Sequence, residues 1–259
     1  MNAKNTESNA QARFSQFAKN YVTSPTHSEG PDLERLFEVA QPQPEWIALD
    51  VATGGGHTAL RIAPSVARMV AADFSLQMLE AARENITAKN VNNVTYVDSD
   101  GEKMPFADNT FDLITCRVAI HHFPDAYQFF RESARVIKPG GRLVVHDHVQ
   151  PEDKQALKYL EAFERLRDPS HGRAFSELEW KGLMLDTDFE VEHAEILTRE
   201  ADLIPWAERQ GRPPEVIERL QVMLAQAPQA VADWISPRNV LSPDAGFNHV
   251  YLLISGIRK

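Results

Sequence analysis

The run Asp50-Val51-Ala52-Thr53-Gly54-Gly55-Gly56-His57-Thr58 carries the strongest chemical signal in this sequence. It joins an apolar stretch that reads as a strand, Ile47 to Val51, to a segment that reads as the start of a helix. Glycines let a backbone turn sharply and approach a ligand closely. The N–H groups that open a helix can face an anion. Asp73, at what reads as the exposed end of the next strand, is placed to accept hydrogen bonds from ribose hydroxyls. The loop alone is ambiguous, because Gly54 to Ala59 also fits the G-x-G-x-x-A dinucleotide pattern. Asp50 bears on the choice: a carboxylate just before the loop repels a pyrophosphate and suits the ammonium of a methionyl group. A second acidic cluster, Asp98-Ser99-Asp100-Gly101-Glu102, follows the third strand. Asp100 there can accept a hydrogen bond from an adenine amino group, with the Gly101 N–H beside it. A solvated acidic turn is the plainer alternative.

Histidines supply the other candidate chemistry. His121 and His122 follow the fourth strand, and His146 and His148 flank Asp147 at the end of the fifth. His171 sits in the polar segment Arg167 to Arg173. Ligands of open α/β sheets bind beyond the carboxyl ends of the strands, and an imidazole with a pKa near ~6.5 can act there as a base. Packing or capping is the commoner use of each ring. His146 and His148 share one side of an extended strand while Asp147 points to the other. A three-ligand metal site within that triplet needs a turn, so no metal is expected. Tyr21 and His27 precede the first strand and can fold over a ligand or form an ordinary loop.

These groups need a scaffold that gathers them. Short apolar runs at Ile47–Val51, Arg68–Asp73, Val94–Val97, Phe111–Cys116 and Arg142–Val145 alternate with helical stretches such as Leu76–Lys89 and Ala126–Ile137. Strand and helix in alternation imply parallel strands joined by right-handed crossovers. After Val149 the pattern changes to two helical stretches, a strand at Phe189–Thr198, a proline-containing helical insertion and a last strand at Val250–Ile257. The late strands read as an antiparallel pair at the sheet edge. Trp206, Trp234 and the apolar residues Leu203, Ile204, Val216, Ile217, Leu220 and Leu224 in the insertion can wall a pocket for a flat or lipophilic molecule, or simply pack the insertion down.

A net charge of −10 with no basic run argues against a nucleic-acid partner. Cys116 is the single cysteine, which excludes an internal disulfide framework. No apolar run approaches the ~18 residues of a membrane span, and Met1 to Gln16 lacks an apolar signal core, so a cytoplasmic protein without membrane insertion is expected.

The motifs in combination resemble the class I S-adenosylmethionine-dependent methyltransferases. Asp50 to Gly56 looks like their first motif and Ala72-Asp73-Phe74-Ser75-Leu76-Gln77-Met78-Leu79 like their second. Asp100 to Phe106 through Asn109 to Asp112, Ile120 to Asp125, and Val136 to Leu143 complete the match. The likeness covers about Tyr21 to His148 and is strongest to the small-molecule branch that includes quinone-biosynthesis C-methyltransferases. Ala52 stands where the family usually has glycine, and Thr53 where cysteine is frequent.

The resemblance implies a Rossmann-like α/β fold: a seven-stranded, mostly parallel sheet with an antiparallel last strand, helices on both faces and a helical cap. It implies one domain over 1–259, with an N-terminal helical cover at 12–42, a cofactor core at 43–149 and a C-terminal part at 150–259 that carries the insertion at about 203–235. It implies S-adenosylmethionine as cofactor, held by Tyr21, Asp50, Ala52, Gly54, Gly55, Gly56, Asp73, Phe74, Met78, Asp100, Gly101, Glu102, Arg117 and His122. The acceptor is a small molecule methylated on carbon or oxygen by in-line displacement, the protein a monomer or homodimer. His121, His122, His146 and His171 are candidates for a base that the reaction does not strictly need. A nicotinamide-dependent oxidoreductase is the alternative, weakened by Asp50, by Asp100-Gly101 and by the lack of a Tyr-x-x-x-Lys motif. A catalytically silent cofactor-binding module is a second, opposed by the intact loop.

Overall fold

A computed structural model describes residues 30–259. The N-terminal helix expected at Ala12 to Tyr21, and with it Tyr21 and His27, lie outside the described residues.

The first described helix, α1 (Pro31–Ala40), starts on a proline whose missing N–H costs nothing there and ends on Gln41 in the left-handed region. The alternation then unfolds as expected: β1 (Ile47–Val51), α2 (His57–Ile62), β2 (Arg68–Asp73), α3 (Leu76–Thr87), β3 (Val94–Asp98), β4 (Phe111–Arg117), α4 (Ala126–Val136) and β5 (Ile137–Gln150). Strand β5 runs longer than its apolar centre, because Ile137 already pairs with Phe111 and Gln150 with Ser176. Helix α5 (Lys154–Arg167) follows, then β6 (Phe175–Ser176), α6 (Glu177–Leu185) and β7 (Phe189–Asp202). The insertion comprises α7 (Leu203–Glu208), α8 (Pro214–Ala225) and α9 (Gln229–Ile235), and β8 (Gly246–Arg258) closes the chain.

The sheet order is β3-β2-β1-β4-β5-β8-β7, with the two-residue β6 beside β5 as an eighth strand that no periodicity announced. Only β8 runs against its neighbours. Alternate residues of one strand serve opposite faces. Leu49, Val70, Ile114 and Val145 pack under α4 and α6 with Phe129, Phe130 and Trp180. Ala48, Met69, Leu113 and Val144 pack against α1 and α2 with Leu36, Val39 and Ile62. A third cluster binds α5 to the insertion through Phe163, Leu203, Trp206, Leu220 and Leu224, with Phe247 of β8. Most of the insertion's apolar residues are therefore spent on packing. Among the described residues, no helix is long and apolar enough to cross a membrane.

Candidate functional site

The chain order turns back between β1 and β4, and there the carboxyl ends of two oppositely wound halves part to leave a crevice. A cavity opens at that point. The glycine loop forms one side. The Thr53 N–H reaches across to the Ala72 carbonyl at 2.9 Å, and the Gly54 N–H donates to Asp73 Oδ2 at 2.9 Å. Asp73 Oδ1 meanwhile accepts the Ser75 N–H at 3.0 Å, and the Ser75 hydroxyl caps α3 by accepting from Met78 N.

Asp50, Ala52, Gly54, Gly55, Asp73, Phe74 and Met78 all line this cavity. Asp100, Gly101, Glu102, Arg117 and His122 line it from the other side. Gly56 does not. A Cβ there would stand 2.9 Å from the Ala82 Cβ of α3, so Gly56 serves helix packing, whereas a Cβ on Gly54 would meet only open space. Ala52 adopts φ 53°, a left-handed conformation that explains why a glycine suits the position. Asp73 is 3 % exposed, which corrects the exposed strand end expected for it. The glycine loop after β1 and the turn into α3 close over it through the Gly54 and Ser75 N–H groups. Sequence reasoning missed Thr53, Ser99 and Val118 as lining residues. Of these, Thr53 had a legible signal: a hydroxyl three positions after Asp50 reaches its carboxylate at 2.7 Å.

The electrostatics suit a cationic or hydroxylated ligand. Burial pushes the Asp50 carboxyl up to about 6, although the Thr53 and Thr115 hydroxyls both donate to it. Burial likewise pushes Asp73 up to about 6 against three backbone N–H donors. A buried carboxylate facing the cavity beside the loop is the opposite of what a pyrophosphate needs. The same carboxylate fits an ammonium, Asp73 lines the cavity as an acceptor that suits hydroxyls, and Gly54 leaves backbone room; these residues fit S-adenosylmethionine.

A second cavity adjoins the first, and Val118 and His122 line both. Val118 holds φ 56°, a strained conformation for a β-branched residue, at this junction. His121 also lines the second cavity. Its Nδ1–H donates to Asp147 Oδ1 at 2.6 Å, while Asp147 Oδ2 accepts the Ile120 N–H at 2.6 Å and the Ala119 N–H at 3.0 Å. His122 Nδ1–H donates to the Ser170 carbonyl at 3.0 Å. Burial holds both rings below the usual imidazole range. The other two candidate histidines line neither cavity. His146 is buried on the sheet with both nitrogens unpartnered, its ring 4.9 Å from Tyr251. His171 is tied to Glu161 at 3.2 Å; burial lowers its ring most, but that bond and the charges of Glu164 and Glu161 together raise it above the usual imidazole range.

The expected lipophilic wall is not what lines the second cavity. Only Pro205, Trp206 and Arg209 of the insertion reach it, beside Arg167, Arg199 and Tyr251. Arg117 anchors α1 from below, through a 2.6 Å pair with Asp32 that is almost fully buried on both sides.

Comparison with known proteins agrees with this geometry. Residues 49–145 match the methyltransferase domain family model. An uncharacterized methyltransferase of Bacillus subtilis, YcgJ, is 32 % identical over 247 residues, which span 95 % of this chain and 98 % of that protein. The chain belongs to the class I methyltransferases. The crystal structure of YcgJ superposes on this methyltransferase with a TM-score of 0.84 over 88 % of the chain and 97 % of YcgJ. A demethylmenaquinone methyltransferase of Corynebacterium kroppenstedtii is 42 % identical over 110 residues, but the match spans only 42 % of this methyltransferase and 45 % of that enzyme. Geranyl diphosphate C-methyltransferase of Streptomyces coelicolor shares the fold, with a TM-score of 0.62 at 15 % identity over 88 % of this chain and 78 % of that one. The cofactor of this methyltransferase is S-adenosylmethionine.

Proposed function

We propose that the chain methylates a polar small molecule bound in the second cavity, using cofactor held in the first. The observation that carries this reading is the shared wall of Val118 and His122: a donor in one cavity and an acceptor in the other meet there. Asp50 binds the cofactor's ammonium, Asp73 its ribose hydroxyls, and Asp100 with the Gly101 N–H its adenine edge. Phe74 and Met78 supply apolar contacts. When bound, the cofactor supplies an electrophilic methyl on a sulfonium, a good leaving group. That methyl would be supplied to a carbon or oxygen of the acceptor, with release of the neutral thioether and loss of the acceptor's proton to solvent.

The protein's part in this displacement is to hold the two reactants in line and exclude water. His121, oriented by Asp147, and His122, oriented by Ser170, shape the approach. Residues 43–149 form the cofactor core, and acceptor choice falls to 150–259. The arginines and histidines of the second cavity favour a polar acceptor over a lipophilic quinone. Neither cavity offers the long basic stripe that a nucleic acid would need.

Calorimetric titration with S-adenosylmethionine and with NAD, followed by transfer of labelled methyl to a panel of polar and lipophilic acceptors, tests the proposal. Binding of NAD alone would overturn the cofactor assignment. Turnover of lipophilic acceptors only would overturn the polar one.

A further inference from the structure

We propose that His148, Glu164 and His249 bind a divalent transition-metal ion at the wall of the second cavity. The three residues come from β5, α5 and β8, and their ligating atoms all lie within 4.8 Å of one another. His148 pairs in register with Tyr251, so His249, two residues earlier on antiparallel β8, is its diagonal neighbour on the same face. The imidazole rings stand 5.4 Å apart at 76°, close to edge-on. Glu164 enters from the helix above, its carboxylate 3.9 Å from His249 Nδ1, beyond hydrogen-bond reach.

None of the three side chains makes a hydrogen bond to another described residue. Glu164 is 8 % exposed and His249 is 6 % exposed. Glu164 pairs with His249 and has the charges of His171 and Arg167 nearby, so it is placed where a cation is favoured. Ligands of one ion at ~2.0–2.2 Å lie roughly 3–4 Å from each other, so rotation of these side chains by about an ångström closes the set.

Two imidazoles and one carboxylate with remaining positions open match zinc or ferrous iron and do not match magnesium, which prefers oxygen. His148 and His249 both line the second cavity, so the open positions face it. On the proposed function, which this last step assumes, the ion would take an oxygen of the acceptor, such as a hydroxyl or carboxylate. The site was invisible in the sequence because its ligands lie in three separate segments.

The test uses the full chain stripped with chelator and titrated with zinc or cobalt(II) alone, without cofactor. One equivalent should bind, cobalt should show the intense visible absorption of a low-symmetry site, and zinc should raise Tm. Glu164→Gln and His249→Gln should each weaken binding by about tenfold or more and abolish the Tm rise. His193→Gln, at a histidine paired with Glu195 away from the cavity, should change nothing. If one variant does not fold, the other decides. Absence of stoichiometric binding, or binding equally strong in a folded Glu164→Gln or His249→Gln variant, would overturn the site. Titration of S-adenosylmethionine into the same variants stays independent, so failure of the metal site and failure of the methyltransferase reading are separately visible.

Discussion

Asp73 accepts the Gly54 N–H at 2.9 Å, so the carboxylate that ends β2 also latches the glycine loop at the end of β1. One buried group thus serves both the cofactor cavity and the loop that shapes it. Replacing Asp73 with alanine should lower S-adenosylmethionine affinity by about ten- to a hundred-fold, the equivalent of a lost charge-assisted hydrogen bond of roughly 1.5–3 kcal/mol. It should also lower Tm, because the Gly54 and Ser75 N–H groups lose their acceptor. Calorimetry and thermal melts separate the effects. Unchanged affinity would remove Asp73 from the cofactor site.

The loop glycines should divide by role. Gly54→Val points into open space and carries only the left-handed strain of φ 53°, roughly 1–2 kcal/mol, so it should abolish cofactor binding in a protein that still folds. Gly56→Val carries that kind of strain at φ 79° and also drives carbon into Ala82 and Ile86, which should cost about 1–3 kcal/mol more, as overpacking does. Equal loss of stability in both variants would contradict this division.

Ala52→Gly should stabilise. At φ 53° alanine carries a left-handed penalty of roughly 1–2 kcal/mol, partly offset by glycine's entropy of about 0.5–1 kcal/mol. A small rise in Tm with unchanged cofactor affinity is the expected outcome. A fall in Tm would show that the loop's strain lies elsewhere.

Cofactor binding should weaken as pH falls through about 6. Asp50 and Asp73 both titrate near there in the ligand-free protein, and protonation removes the charge that attracts an ammonium. Their effect on folding has the opposite sign. Their folded values lie above the unfolded one, so their contribution favours the fold at low pH and is lost as pH rises through about 6. Affinity measured from neutral to acid pH, beside Asp50→Asn, checks this. A flat affinity profile in the wild-type protein would refute it.

Breaking the Arg117–Asp32 pair should loosen α1 from the sheet. Removing one partner of a buried pair typically costs about 3–5 kcal/mol, while replacing both with neutral groups costs less. Arg117→Gln should therefore be more damaging than Arg117→Gln with Asp32→Asn, a comparison that chemical denaturation reads directly. Equal stabilities would show that Arg199, 3.7 Å from Asp32, already compensates.

Much of the cofactor site was written in local sequence. Asp50 to Gly55, Asp73, and Asp100 to Glu102 each sit at or just beyond the carboxyl end of a strand, and parallel strands deliver those ends to one edge of a sheet whatever the rest of the chain does. Short apolar runs and capping residues such as Ser75 and Asp125 act over a few positions, so strands and helices were legible too. What tertiary structure alone decided is everything that depends on distant segments meeting. It made Gly56 a packing residue and Asp73 a buried one. It drew the insertion's apolar residues into a core with α5, leaving a polar cavity where a lipophilic wall was conceivable. It tied His121 to Asp147 and left His146 sealed on the sheet, although the two rings follow strands of similar pattern. It brought His148, Glu164 and His249 together from three elements, because long-range packing, unlike strand periodicity, has no repeat to betray it in a single sequence.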